Sequence, residues 1–367
     1  MNLLLISVDS LRLDFAPGIS AAVCTPRFSA LTRDFHLCQH CFSVSSATRP
    51  VHTSLFTGLY PFEHGIEGQH SPAMRQGVAD LFDLCRRAGY AVGAFSEAPD
   101  IFTGLGYADH IAPLPTDEQL TGWLQRREPT VLFVHYWSVH PPYGAADGLA
   151  FGEVGQLLAA GRIDVVQARY RAAIEQLFER HIARLLATLD LNEWAVFIIS
   201  DHGQSWRADE PYHGQTLCND VLRVPLYYRL PSEESVGRPL ISLVDLFPTF
   251  LSILQLDYPY DGFARDIRTP SPPEYYLAEI DPGPDAQQGR QWALFNASAK
   301  FTCDQSTQRE TLVETFSEGP LPALDTRPYH QAYTALRAAS SYVQAEFDQT
   351  TDRALLHQRL RALGYMD

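Results

Sequence analysis

The apolar runs of this chain are all strand-sized, and they alternate with helical patterns. The longest, at residues 3–8 and 194–199, fall far short of the ~20 residues needed to cross a bilayer. Residues 2–8, 91–95, 130–135 and 194–199 read as strands covered on both faces, since they lack a polar alternate face. Between them, residues 78–88 place Val78, Leu81, Phe82 and Cys85 on one helical face, with Gly89 as a stop. Residues 163–189 repeat Val166, Tyr170, Ile174, Leu177, Phe178, Leu185 and Leu189 at helical spacing. Asp245 and Pro248 suit the first turn of a helix running to about Leu254. Covered strands separated by helices cannot pair as tight hairpins, so crossover connections follow. The expected fold is α/β, a large mostly parallel sheet flanked by helices on both faces.

The pattern changes after Asp261, where Pro270, Pro272, Pro273, Pro282 and Pro284 crowd together. Beyond them, residues 275–280, 292–296 and 311–314 read as short strands, and a helical tail from about Pro328 ends in Leu363-Gly364-Tyr365. The expected division is a larger domain over residues 1–265 and a smaller C-terminal α+β subdomain over 266–367.

Charge and composition narrow the function. Hydrophobic residues at 46% and charged ones at 19% are those of a soluble globular chain. A net charge of −15 argues against nucleic acid and membrane surfaces as partners. A small anionic substrate would need local positive charge, yet Lys300 is the only lysine and every other basic residue is arginine. Cys38 and Cys41, with His36 and His40, could clip a zinc ion, but buried reduced thiols suit the scattered cysteines better. The chain opens on a strand rather than a basic-then-apolar leader, so a cytoplasmic location is expected.

In an open parallel sheet, functional groups gather beyond the C-terminal strand ends. Asp9 closes the first strand, and Asp201 with His202 closes residues 194–199. Two acids and an imidazole there would suit a divalent cation, although an Asp at a strand end also serves as a helix cap. Thr48, two residues before Pro50, stands where a helix begins. It would either cap that helix or meet an anion in the field of the helix N-terminus.

The motifs in register decide between these readings. Residues 2–9, Thr25-Pro26 with Leu31 and Phe35, Thr48 to Gly58, Tyr60-Pro61 and His64-Gly65 follow one another in an order that resembles the opening of the sulfatase family, within the alkaline phosphatase superfamily. Gly89-Tyr90, Ser200-Asp201-His202-Gly203, His213-Gly214, Arg223-Val224-Pro225-Leu226 and Asp245 with Pro248-Thr249 continue the likeness, which is weakest over residues 262–325. The resemblance implies that Asp9, Thr48, Asp201 and His202 hold a catalytic metal, with Thr48 as nucleophile. His140, in His140-Pro141-Pro142-Tyr143, and His213 would bind the transferred group or protonate the leaving group. His52 occupies the position of an arginine that supports the nucleophile in sulfatases; it and Arg49 are candidate substrate contacts, although Arg49 suits a surface ion pair equally well.

The sequence also departs from the family. Sulfatases convert Cys or Ser in Cys/Ser-x-Pro-x-Arg to formylglycine, whereas Thr48 and His52 replace both recognition residues here. Cys24-Thr25-Pro26-Arg27 is no substitute, because Phe28 stands where arginine is required. The sulfate-binding lysines are missing, and Ser10 replaces a second acid. A threonine nucleophile with this ligand set is similar to phosphoethanolamine transferases, lipoteichoic acid synthases and nucleotide pyrophosphatases. The implied activity is hydrolysis of phosphate or sulfate esters through a covalent Thr48 intermediate. Alternatives are transfer of the phospho-group to an alcohol, sulfate hydrolysis without formylglycine, and a catalytically silent binding protein. One divalent ion is implied, Zn²⁺ or Mn²⁺ before Ca²⁺ or Mg²⁺. Selectivity is assigned to loops at residues 145–161 and 205–212. The other histidines, His135 among them, are given structural roles, with His135 also a candidate support for the site.

Overall fold

The computed structural model describes residues 1–144, 148–207, 211–231, 238–283, 289–322, 325–347 and 353–363. Its main sheet contains β1 (Asn2–Val8), β2 (His36–Phe42), β3 (Ala91–Ser96), β4 (Ile111–Pro113), β5 (Thr130–Tyr136) and β6 (Trp194–Ser200). A short hairpin, β7 (Ser205–Trp206) and β8 (Pro211–Tyr212), precedes two more strands of that sheet, β9 (Arg223–Arg229) and β10 (Ile241–Ser242). The order is β10-β2-β9-β6-β1-β5-β3-β4. Strands β6, β1, β5, β3 and β4 run parallel, and β9 is antiparallel to both β6 and β2.

The covered strands explain the unbroken apolar runs. Along β1, Leu3 and Leu5 pack with Val51, Leu55 and Phe56 of the helix Thr48–Thr57, whereas Leu4, Ile6 and Val8 join Phe28, Tyr170 and Phe178 on the opposite face. Helices therefore cover both faces, as expected. The long helical pattern at residues 163–189 is one continuous rod to Leu186 with a π-helical stretch at Leu177–Ile182. That stretch lets Leu177, Phe178, Ile182, Leu185 and Leu186 all reach the core.

A separate antiparallel sheet, β11 (Tyr276–Ile280), β12 (Gln291–Phe295), β13 (Ala299–Asp304) and β14 (Glu310–Glu314), forms the C-terminal subdomain. Three of its strands match the sequence reading; β13 does not, because Ala299–Asp304 interrupts its apolar positions with Lys300 and Thr302. Lys300 is buried and donates to Leu217 O, Asn219 Oδ1 and Glu318 Oε1, so the chain's one lysine ties this sheet to the main body. The tail contains helices Arg327–Ala339 and Arg353–Ala362; its closing Gly364-Tyr365 lies outside the described residues.

One expectation is corrected. Residues 145–161 are not simply a loop, for Phe151–Ala159 is a helix whose Glu153 carboxylate accepts from Ala150 N at 2.9 Å. Gly152 and Gly155 lower its helix propensity and hid it from view. The six cysteines are free. Cys38 and Cys41 lie on either side of a register shift in the β2–β9 ladder, and no cysteine belongs to a metal-compatible group among the described residues. No described helix is long and apolar enough to cross a membrane.

Candidate active site

Strand ends and one helix start deliver the central groups. Beyond β1, Asp9 N donates to Tyr136 O at 2.9 Å, which ties the turn to the neighbouring strand end. Ser10 then adopts a left-handed backbone (φ 60°), a conformation that costs free energy in a non-glycine residue. The turn aims Ser10 N at Asp201 Oδ1 (3.1 Å), while Ser10 Oγ donates to Asp9 Oδ1 (2.7 Å). Beyond β6, His202 N donates to Asp201 Oδ1 at 2.8 Å. Gly203 follows because a Cβ there would lie 2.1 Å from Asp220 O. His202 Nδ1 donates to Gly203 O at 2.9 Å, which fixes the tautomer and leaves the Nε2 lone pair facing inward.

Thr48 is the first residue of its helix and is not its cap. Ala47 holds the cap position, and no side chain there satisfies the helix amides. The Thr48 hydroxyl instead lies 3.2 Å from Asp9 Oδ2 and 3.3 Å from His202 Nε2. Ligating atoms of Asp9, Asp201 and His202 all lie within 4.8 Å of one another, with every side chain fully buried. The four expected metal residues thus converge on one point.

The electrostatics there call for a cation. Burial pushes the Asp201 carboxyl well above its ordinary range, and the nearby Asp9 charge pushes it further. Burial also opposes ionisation of Asp9, but donation from His135 and the fields of His140 and His202 hold it well below the usual carboxylate range. Burial depresses His202, His213 and His140, the last to about 4. Asp201 Oδ2 is buried without a hydrogen-bond donor. Two carboxylates, an imidazole lone pair and a hydroxyl with an unpaired oxygen between them fit a divalent ion.

His140 and His213 flank this group. The His213 ring stacks on His202 (centroids 4.5 Å apart), and His140 stands 5.0 Å from His213. His140 Nδ1 donates to Pro141 O and His213 Nδ1 to Gln204 Oε1, so both rings turn their Nε2 away from these anchors.

Arg49 and His52 are placed differently from the expectation that they meet the substrate. Arg49 is fully buried, donating through Nη1 to Ile101 O and Thr103 O and through Nη2 to Ser71 O. Both His52 nitrogens are taken, Nδ1 by Thr48 O and Nε2 by Ser7 Oγ, each at 2.9 Å. The side chain lies beneath the nucleophile position, not in front of it. Two other residues join the site: Gln69, which sequence reasoning missed, and His135, which it named only as a candidate support. Gln69 Oε1 accepts from Arg49 N at 3.1 Å, close to the start of the Thr48 helix, and its Nε2 is buried without a partner. His135, near the end of β5, lies 3.4 Å from Asp9 Oδ2. A strand-end histidine is the only sequence signal for the second; for Gln69 there is none.

The sulfatase family matches residues 114–256, and the type I phosphodiesterase / nucleotide pyrophosphatase family matches residues 3–82. No curated protein matches the sequence. Among solved structures, the phosphonate monoester hydrolase of Agrobacterium radiobacter is similar, with a TM-score of 0.68 at 19% identity over 92% of this chain and 95% of that one. The phosphonate monoester hydrolase of Silicibacter pomeroyi gives 0.66 at 17% over 98% and 95%. A 2-O GAG sulfatase gives 0.68 at 15% over 97% and 96%.

Proposed function

From its likeness in fold to solved sulfatases and its matches to two families of ester hydrolases, we propose that this chain is a sulfatase-like hydrolase that cleaves phosphate esters through Thr48. The observation that carries this reading is the Thr48 hydroxyl, which leaves its helix uncapped and faces Asp9 and His202 instead.

Asp9, Thr48, Asp201 and His202 would hold one divalent ion, which when bound polarises a substrate oxygen and favours the alkoxide form of the threonine. Thr48 Oγ attacks phosphorus in line, forming the O–P bond as the bond to the leaving oxygen breaks. The threonine proton passes to Asp9 Oδ2, and the leaving oxygen takes a proton from His140 or His213, which first gains one on Nε2 from solvent because its Nδ1 proton is held by Pro141 O or Gln204 Oε1. Water then attacks the phospho-threonine, releases phosphate and restores the hydroxyl. Gln69 Nε2 supplies a neutral donor near the helix start, where the helix field also favours an anion. Arg49 and His52 brace the segment that carries Thr48.

Phosphate is preferred to sulfate for a chemical reason. Formylglycine hydrate can expel sulfate by regenerating its aldehyde, a route closed to a threonine ester, and the guanidinium of the adjacent Arg49 is occupied by backbone carbonyls. Parallel kcat/KM measurements on matched phosphate and sulfate esters test this, with Thr48→Ala as control. Faster turnover of the sulfate, abolished by that substitution, would overturn the phosphate assignment while keeping the site.

A further inference from the structure

Ser7, His135 and Ser96 form one row across three neighbouring strands, Ser7 on β1 and Ser96 on β3 each opposite His135 on β5. All three are fully buried, and the row runs beneath the carboxylates of the site. Ser96 Oγ accepts from Ala98 N at 3.0 Å and lies 2.8 Å from His135 Nδ1. Its own proton has no other acceptor among the described residues, so it goes to Nδ1. The imidazole must then carry its proton on Nε2. That Nε2 is buried without a hydrogen-bond partner and stands 3.4 Å from Asp9 Oδ2, the same oxygen that faces the Thr48 hydroxyl.

The neighbouring His52, with ring centroids 4.9 Å away, is set the opposite way. Ser7 Oγ donates to its Nε2, and its Nδ1 donates to Thr48 O. Each serine of the row therefore selects a tautomer, and the two imidazoles hold different parts of the site.

We propose that Ser96 and His135 are positioning residues, a hydroxyl–imidazole pair whose fixed Nε2–H holds Asp9 Oδ2 toward Thr48 and the cation position. A buried N–H whose only anionic neighbour is that carboxylate resists its rotation, because turning away leaves the N–H without a partner. His135 acts through Asp9 and does not touch substrate. The inference rests on the metal and nucleophile assignments proposed above.

Its test begins without metal or substrate. Nitrogen-15 NMR of the metal-free protein should find His135 as the Nε2–H tautomer, and Ser96→Ala should shift it toward Nδ1–H. Calorimetric titration with Zn²⁺ or Mn²⁺ alone should show binding weakened about 10- to 100-fold in Ser96→Ala and His135→Leu. His135→Gln, whose amide N–H can reach the same carboxylate, should stay within roughly threefold of the parent. With an ester substrate, the weakened variants at saturating metal should lose kcat with KM little changed. Ser96→Ala removes one oxygen and keeps the comparison valid if the leucine variant fails to fold. An Nδ1–H tautomer in the parent overturns the proposal, as does parent-like metal binding by both weakened variants. A parent that takes up neither ion removes the metal reading and this inference together.

Discussion

Thr48 and Asp201 are central to the proposed chemistry, and they make opposite demands on the fold. The Thr48 hydroxyl gives up the chance to cap its helix and meets Asp9 and His202. Thr48→Ala should therefore lower turnover by roughly 10³-fold or more, while Thr48→Ser keeps part of it. Mass spectrometry of the peptide should find residue 48 as unmodified threonine, and an aldehyde there would refute the reading. Asp201 stands at a cost, since burial and the Asp9 charge both oppose its ionisation. Asp201→Asn keeps an oxygen for Ser10 N and His202 N and removes the charge. In thermal melts the metal-free variant should be no less stable than the parent. Zn²⁺ or Mn²⁺ should raise the parent's Tm, as expected when only the folded state binds, and should not raise the variant's. An equal rise in both would exclude Asp201 from the cation position.

At the level of elements, the helix Thr48–Thr57 is fixed at its far end by Gly58, which closes it in the left-handed region (φ 73°) with its N–H on Ser54 O. A Cβ on Gly58 would lie 2.6 Å from Phe247 Cδ1 and 2.8 Å from Tyr260 Cε2. Gly58→Ala should cost about 1–3 kcal/mol in urea unfolding, from backbone strain and the two rings together; a change near zero would mean that both rings move freely. The parallel strands, this helix and the strand-end acids were legible because each depends on a local pattern, either an apolar run or an acid where a strand stops. Strand β9 was not read as antiparallel, since Arg223-Val224-Pro225-Leu226 carries no mark of direction. The burial of Arg49 was hidden because its acceptors, the carbonyls of Ser71, Ile101 and Thr103, belong to loops distant in sequence. Likewise His135 gains its meaning only from Ser96 and Asp9, which the sheet brings beside it from two other strands.

Across the whole molecule, the C-terminal subdomain and tail are held to the main body by buried acids, and this joint should give stability a pH dependence of its own. Glu279 on β11 accepts from Phe62 N of the main body and from Tyr333 and Arg337 of the tail helix, each contact between 2.9 and 3.2 Å. It is completely enclosed, and desolvation, reinforced by the Glu67 charge, lifts its pKa from 4.5 to about 7 against the pull of Arg337. The folded state thus keeps a proton on Glu279 over the window from 4.5 to about 7, where the unfolded chain has released it. Stability from this group is fully present below pH 4.5 and is lost as pH rises through 7. The loss is on the order of 3 kcal/mol if the shift is realised in full. Glu63, raised to about 7 chiefly by burial and bonded to Ser340 Oγ, acts in the same direction at the next contact. Glu279→Gln preserves the shape of the side chain but cannot titrate. Its absolute stability is free to differ, because one oxygen becomes an amide nitrogen, so the decisive quantity is the slope. Unfolding free energies of parent and variant between pH 5 and pH 8 should diverge, the parent losing more of its stability than the variant over that range. Parallel curves would mean that Arg337 keeps Glu279 ionised throughout, and that the joint is an ion pair rather than a protonated acid.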